Sequence, residues 1–527
     1  MLSKRFGNSV YHQLVFIGYF SLAVGMPLSK IILSLSMMWL ALILVLQGDF
    51  KRYVQRIESN GFVLLLLALW AWSLLTFAWS SDLDFALKDF KDKLPLFIIP
   101  LLFVAQPLEG NKQYQIILGG FVVAVFVTSI INVGSYVHLW GDRVYDDIRG
   151  MSLFLSHIRY ALMVSTAAAI AGLWFQKSKH RWKWFGLVLF GWFSFYTYYA
   201  QVLSGVLTFG GMIVVWIALE LSIRKNRALS KVVIFLGILG VGVVTYALVV
   251  FFQPEKLRIS LDHLPEKTKE GNLYFHRTDK NQLENGYPVY YFLCQEEMKR
   301  EWNRRSSFPY DSLDAKGQKL EGTLIRYLTS KGLYKDAAGV QALSPTDISH
   351  IEQGIPSILS LKKGFGARLA GLKNELMYSN DPNGQSIAQR FEYWKTGLKI
   401  LKSNFLLGVG AGDIDRAFQQ QYEHDKSKLR PENRLRTHNQ YLSFFIALGL
   451  VGFLLFVATL IYFWRTNFKQ RNYLAILFMT ISLLSFLVED TLETQMGVTF
   501  FAFFFGLFIS YSERRIWNEM EPKDHIE

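Results

Sequence analysis

The chain has 527 residues, 51% hydrophobic and 16% aromatic, too apolar for a soluble enzyme of this size, so lipid must solvate much of it. A net charge of +14 does not point to nucleic acid, because the basic residues stand in short clusters between apolar runs, as in membrane proteins. Cys294 is the only cysteine, which excludes an intrachain disulfide and any multi-cysteine metal or iron–sulfur site.

Apolar runs of roughly 20 residues, enough to cross a hydrocarbon core of about 30 Å, recur along the chain. Their positions predict transmembrane helices near 10–28, 31–46, 61–79, 94–106, 114–137, 153–175, 184–200, 203–221, 231–252, 439–464, 472–488 and 494–511. Lys4 and Arg5 precede the first run, but no small-residue cleavage site follows, so a retained helix is expected. The fourth run is short and carries Pro95 and Pro100.

With the N-terminus inside, the inner segments hold twenty basic residues, among them Lys51, Arg52, Arg56, Arg224, Lys225, Arg514, Arg515 and Lys523. The short outer loops hold six: Lys30, Lys88, Lys91, Lys93, Arg143 and Arg149. That bias sets the orientation. The expected organisation is an all-α polytopic membrane protein of about 12 transmembrane helices. Helices one to nine occupy 1–252, a periplasmic loop domain 253–437, the last three helices 438–512 and a cytoplasmic tail 513–527.

Within the loop, 258–384 is polar, with a turn at Asp381-Pro-Asn-Gly384 and a helix expected over Gly322–Ser330, the pattern of a small folded domain. Near 387–403, Ile387, Phe391, Trp394, Leu398 and Leu401 recur at helical spacing. They predict an amphipathic helix lying on the outer membrane surface or packed on the loop domain.

Ionisable residues in or at the ends of membrane helices are costly and are functional candidates. Those predicted at the outer surface are His157, Arg159, Gln201, Ser204, Arg258, His438, Asn439, Glu489, Asp490, Glu493 and Gln495. Each also has a plain structural reading: a histidine can cap a helix, an arginine can bind lipid phosphate, and the acidic run 489–493 can cap helices or hold a divalent cation. Gly408-Val-Gly-Ala-Gly412 is not a nucleotide loop, since no strand precedes it and it falls on the side without ATP or NAD. A tight, flexible turn that brings backbone close to a partner is expected instead.

At Arg390-Phe-Glu-Tyr-Trp394, Gly408-Val-Gly-Ala-Gly412 and His438-Asn-Gln-Tyr-Leu442, followed by Gly449 and Gly452, the sequence resembles the O-antigen ligase and polymerase superfamily. Glu284–Glu352 and Glu489–Gly497 resemble versions in Bacteroidetes-type members. The resemblance implies transfer of a glycan from a polyprenyl diphosphate (undecaprenyl-type) donor to an acceptor hydroxyl, lipid A-core for a ligase. It implies inversion at the anomeric carbon, no metal, no cofactor, and a bacterial inner membrane with the site facing the periplasm. His438 matches the family's essential histidine and Arg390 one essential arginine; the other is matched by Arg258, with Arg159 second. Trp394, Asn439, His157, Glu489 and Asp490 are supporting candidates. Where many members carry an arginine beside serine near the eighth helix, this chain has Ser204-Gly205.

These residue types suit the chemistry. Guanidinium groups grip diphosphate oxygens through paired hydrogen bonds, and a histidine of ordinary pKa, about 6.5, is neutral enough near neutral pH to act as general base. A polymerase extending the lipid-linked glycan and a protein O-oligosaccharyltransferase share this donor and site. A secondary transporter is opposed by the large loop, the lack of an inverted repeat and the gathering of polar residues at one surface.

Overall fold

The structure, a computed structural model, describes residues 8–141, 143, 145, 148–223, 227–251, 257–259, 264–277, 282–361, 383 and 386–510. The expected turn at 381–384 lies almost wholly outside them, as do Lys4, Arg5, Arg224, Lys225, Arg514, Arg515, Lys523 and the Ile387 side chain. The described chain is an all-α membrane protein apart from one two-stranded hairpin.

Helices form on the apolar runs: α1 (Asn8–Gly25), α2 (Lys30–Gln47), α4 (Gly61–Leu75), α5 (Leu83–Ala105), α6 (Asn111–Tyr136), α7 (His157–Lys177), α8 (Lys183–Tyr199), α9 (Leu203–Ile223) and α10 (Arg227–Phe251). The short polar helix α3 (Phe50–Glu58), not expected from hydropathy, falls between α2 and α4, and its Arg56 donates to the Ala105 carbonyl at the end of α5 (2.7 Å). Six described helices are long and apolar enough to cross a membrane: 30–47, 61–78, 111–136, 157–177, 203–222 and 440–469.

The fourth run departs most from expectation. α5 starts at Leu83, eleven residues before the predicted 94, where Asp82 accepts a hydrogen bond from Phe85 N–H (2.9 Å). Its polar first turns carry Asp89 and Lys93, which hydropathy assigns to a loop. The lysine is paired with both Asp89 and Glu493.

The chain folds as two compact units, residues 1–239, 392–427 and 434–527, and residues 240–391 and 428–433. The second has its own core, in which Trp302 and Met298 of α11 (Gln295–Arg305) meet Leu324 and Leu328 of α12 (Leu320–Ser330) and Ile351 of α14 (Pro345–Glu352). α13 (Ala337–Gln341) and the hairpin β1 (Leu283–Glu284) and β2 (Tyr287–Pro288) complete it.

α15 (Ser386–Ser403) belongs to the first unit from Glu392 onward, where it buries Tyr393, Thr396 and Ile400 and leaves Leu398 57% exposed. α16 (Ile414–His424) leads to α17 (Gln440–Lys469), α18 (Tyr473–Val488) and α19 (Gln495–Ser510), the last packed along α5.

α17 is broken at Gly449, whose φ of 66° no helix interior adopts. A break frees backbone groups, and apolar surroundings demand that protein satisfy them. The glycine loop does so: Val409 and Gly410 N–H donate to the carbonyls of Ile446 and Ala447, and Leu450 N–H donates to Phe405 O. On its other side Ala411 N–H reaches Thr76 Oγ1 (3.2 Å), Gly412 N–H reaches Ser80 Oγ (3.1 Å), and Asp413 accepts from Ser81 N–H (2.7 Å). The partner that the loop approaches is thus the chain's own backbone. With Gly408 N–H on Asn404 O as well, these amides are committed within the protein and form no phosphate cradle.

Candidate active site

His438 stands immediately before α17, in a segment held on all sides. Trp394 Nε1–H donates to Thr437 O (2.8 Å), and Thr437 Oγ1 meets Ser443 Oγ (2.7 Å). Asn439 caps α17 by accepting from Leu442 N–H (3.0 Å), and its Nδ2 donates to Leu487 O (2.9 Å). Between them His438 has φ 48°, left-handed backbone that costs a non-glycine residue about 1 kcal/mol or more.

In that conformation Nδ1 lies 3.4 Å from Asp490 Oδ1 and 3.6 Å from Glu489 Oε2, with the Tyr393 ring at 5.7 Å between centroids. Among the described residues no well-aligned hydrogen bond reaches Nδ1, so this is a long ion pair. Asp490 first and Glu489 second push the imidazole up to about 9, against burial. Burial raises Asp490, but the facing imidazolium outweighs it and holds the carboxyl below its ordinary value. The cause is two carboxylates, from a loop some fifty residues along the chain, that face the ring.

Arg159, in the first turn of α7, interacts electrostatically with Asp490 and Glu489, and its Nε is buried with no hydrogen-bond partner among the described residues. His438, Glu489, Asp490 and Arg159 are therefore brought together, with Trp394 and Asn439 as supports of the histidine's segment. His157 instead lines a small cavity with Arg149, Tyr196 and Thr197. Arg390 and Arg258 belong to the second unit. There Arg258 N–H donates to Gly286 O (2.9 Å), and its guanidinium lies 6.0 Å from the Tyr287 ring centre.

The side-chain atoms of His438, Glu489 and Asp490 lie within 4.8 Å of one another, close enough for a cation to fit. When protonated, the imidazole sets its own positive charge against both carboxylates.

Residues 354–457, which include Arg390, the glycine loop and His438, match the family model described as O-antigen ligase. The match covers about a fifth of the chain, and over that stretch the protein is similar to the O-antigen ligase superfamily. It is also similar, at 27% identity over 146 residues, to an uncharacterized protein of Haemophilus influenzae. That similarity covers 27% of this chain and spans about a third of the relative's length, 36%. The match and the apolar helices agree with a multi-pass membrane protein. Its matched segment ends before Glu489 and begins after Arg159, so the groups around His438 on those two sides come from outside it.

Sequence reading missed Arg436, Gln440 and Lys93, which surround Glu493 behind the histidine. The one local signal was Asp89 four residues before Lys93, a helical ion-pair spacing. Partners some 400 residues away leave no such trace.

Proposed function

We propose that the protein transfers a glycan from a polyprenyl diphosphate carrier to an acceptor hydroxyl at the periplasmic face of the inner membrane, as an O-antigen ligase acting on lipid A-core. The observation that carries this is His438, inside the matched segment, with Nδ1 turned to Asp490 and Glu489.

In this reading the carboxylates orient the ring and raise its basicity, leaving Nε2 to take the acceptor proton. The acceptor oxygen attacks the anomeric carbon from the face opposite the carrier. The carbon–oxygen bond to diphosphate breaks, and polyprenyl diphosphate departs with the electron pair. Guanidinium groups neutralise the leaving charge, a role the resemblance gives to Arg390 with Arg258 or Arg159. A second reading follows from the raised imidazole pKa: a standing imidazolium could itself grip the diphosphate.

The test is reconstitution of the purified protein with a defined polyprenyl-linked glycan and lipid A-core. Transfer to lipid A-core supports the ligase; lengthening of the lipid-linked glycan alone, or transfer only to serine or threonine of a protein, replaces it by the polymerase or the oligosaccharyltransferase. In the same assay Arg390→Lys is expected to lose about 10- to 100-fold, since a lysine cannot offer the paired donors of a guanidinium. Full activity in that variant would reduce Arg390 to a lipid contact.

The orientation has its own check. A reporter active only in the cytoplasm should be active when fused after Lys179 or Lys225 and silent when fused within 300–340. The reverse pattern would remove the periplasmic site.

A further inference from the structure

Behind His438 lies a chain of charges that the proposed chemistry does not use. Glu493, its side chain 8% exposed, accepts at Oε2 from Arg436 Nη1 (3.0 Å) and pairs there with Lys93 Nζ (2.9 Å). Its Oε1 accepts from Gln440 Nε2 (3.0 Å), and Leu492 N–H returns a bond to Gln440 Oε1 (2.6 Å). Lys93 also pairs with Asp89 (2.8 Å), and Arg436 donates from Nε to Asp415 (2.5 Å). Burial disfavours the Arg436 charge, yet Asp415 and Glu493 hold the guanidinium above its ordinary value.

Arg436 and Gln440 stand two residues to either side of His438, so one carboxylate grips both flanks of a residue held in left-handed backbone. The same loop carries Glu489 and Asp490, the groups that face Nδ1. Desolvated charges impose a unique geometry only when all are paired, and Glu493 uses both oxygens to do so.

We propose that Glu493 is a positioning residue that staples the flanks of His438 to the 489–493 loop and so fixes the imidazole against its two carboxylates. The proposal rests on reading His438 as the reacting group, and it assigns Glu493 no contact with substrate. A carboxylate with one fewer methylene cannot span both flanks, so reach, beyond charge, is required.

Full-length wild type, Glu493→Gln, Glu493→Asp and Gln440→Leu would be compared in lipid nanodiscs. One measurement is glycan transfer. The other is reaction of His438 with diethyl pyrocarbonate, which modifies neutral imidazole, followed against pH by mass spectrometry of its peptide. The groups facing that imidazole are Glu489 and Asp490 after α18 and Tyr393 from α15, while Arg159 of α7 acts on both carboxylates and Arg436 on Asp490.

Glu493→Gln and Glu493→Asp should both lower kcat about 10- to 100-fold with donor KM little changed, the size expected when a reacting group is misplaced by about 1 Å. Both should move the reaction midpoint of His438 from near 9 toward an ordinary histidine by about one pH unit or more. Gln440→Leu should move both readouts in the same direction. Asp425→Asn, which breaks an ion pair with Lys399 outside this network, should move neither. Wild-type behaviour of Glu493→Asp would show that charge alone suffices and overturn the proposal, as would an unmoved midpoint in all three variants. If His438→Ala transfers glycan normally, the catalytic reading fails, while the modification midpoint still tests the staple directly.

Discussion

His438→Ala is expected to insert normally, bind the polyprenyl-linked donor and transfer glycan at least about a hundredfold more slowly, the usual scale of general-base assistance. The pH profile carries more information than the loss itself. With the imidazole pushed up to about 9, roughly one molecule in a hundred is neutral at pH 7. A base must be neutral, so the wild-type rate should climb about tenfold per pH unit and level off near 9, while the residual rate of His438→Ala stays flat. If the imidazolium grips diphosphate instead, the wild-type rate should be level below 9 and fall above it. Turnover of His438→Ala near the wild-type rate would leave the histidine a structural element and send the search for the base to Glu489 and His157.

Gly408→Val should destabilise the whole first unit. Gly408 has φ 74°, and a Cβ there would lie 2.4 Å from Gly449 N and 2.6 Å from Ala447 O, both backbone atoms that cannot turn aside. Gly449 is the mirror case, with its own Cβ direction 2.3 Å from Leu406 O. A β-branched residue in left-handed backbone alone costs about 1–3 kcal/mol. The clash would add the hydrogen bonds of Val409, Gly410 and Leu450 across the break in α17, each worth about 1 kcal/mol. Thermal unfolding in detergent should fall by many degrees, with loss of a monodisperse elution profile. A melting temperature within a degree of wild type would mean that the crossing of loop and helix is not needed to hold the break.

Composition and run length alone determined that the chain is helical and solvated by lipid, because a bilayer demands internally bonded segments of about 20 apolar residues. Short motifs also located the histidine and the glycine loop, since each is a local cluster of unusual residue types. Three matters were decided only by the tertiary structure. Residues 83–93 are helix capped by Asp82, and Lys93 within them pairs with Glu493 some 400 residues away, a partner that no local pattern supplies. The glycine loop proved a clamp on a broken helix, since the break at Gly449 becomes tolerable only when residues 405–412 come alongside. The proton affinity of His438 was fixed by Asp490 and Glu489, carried to it by the packing of α18 against α17. A side chain's type is written in the sequence, whereas its pKa depends on which charges the fold brings within a few ångströms.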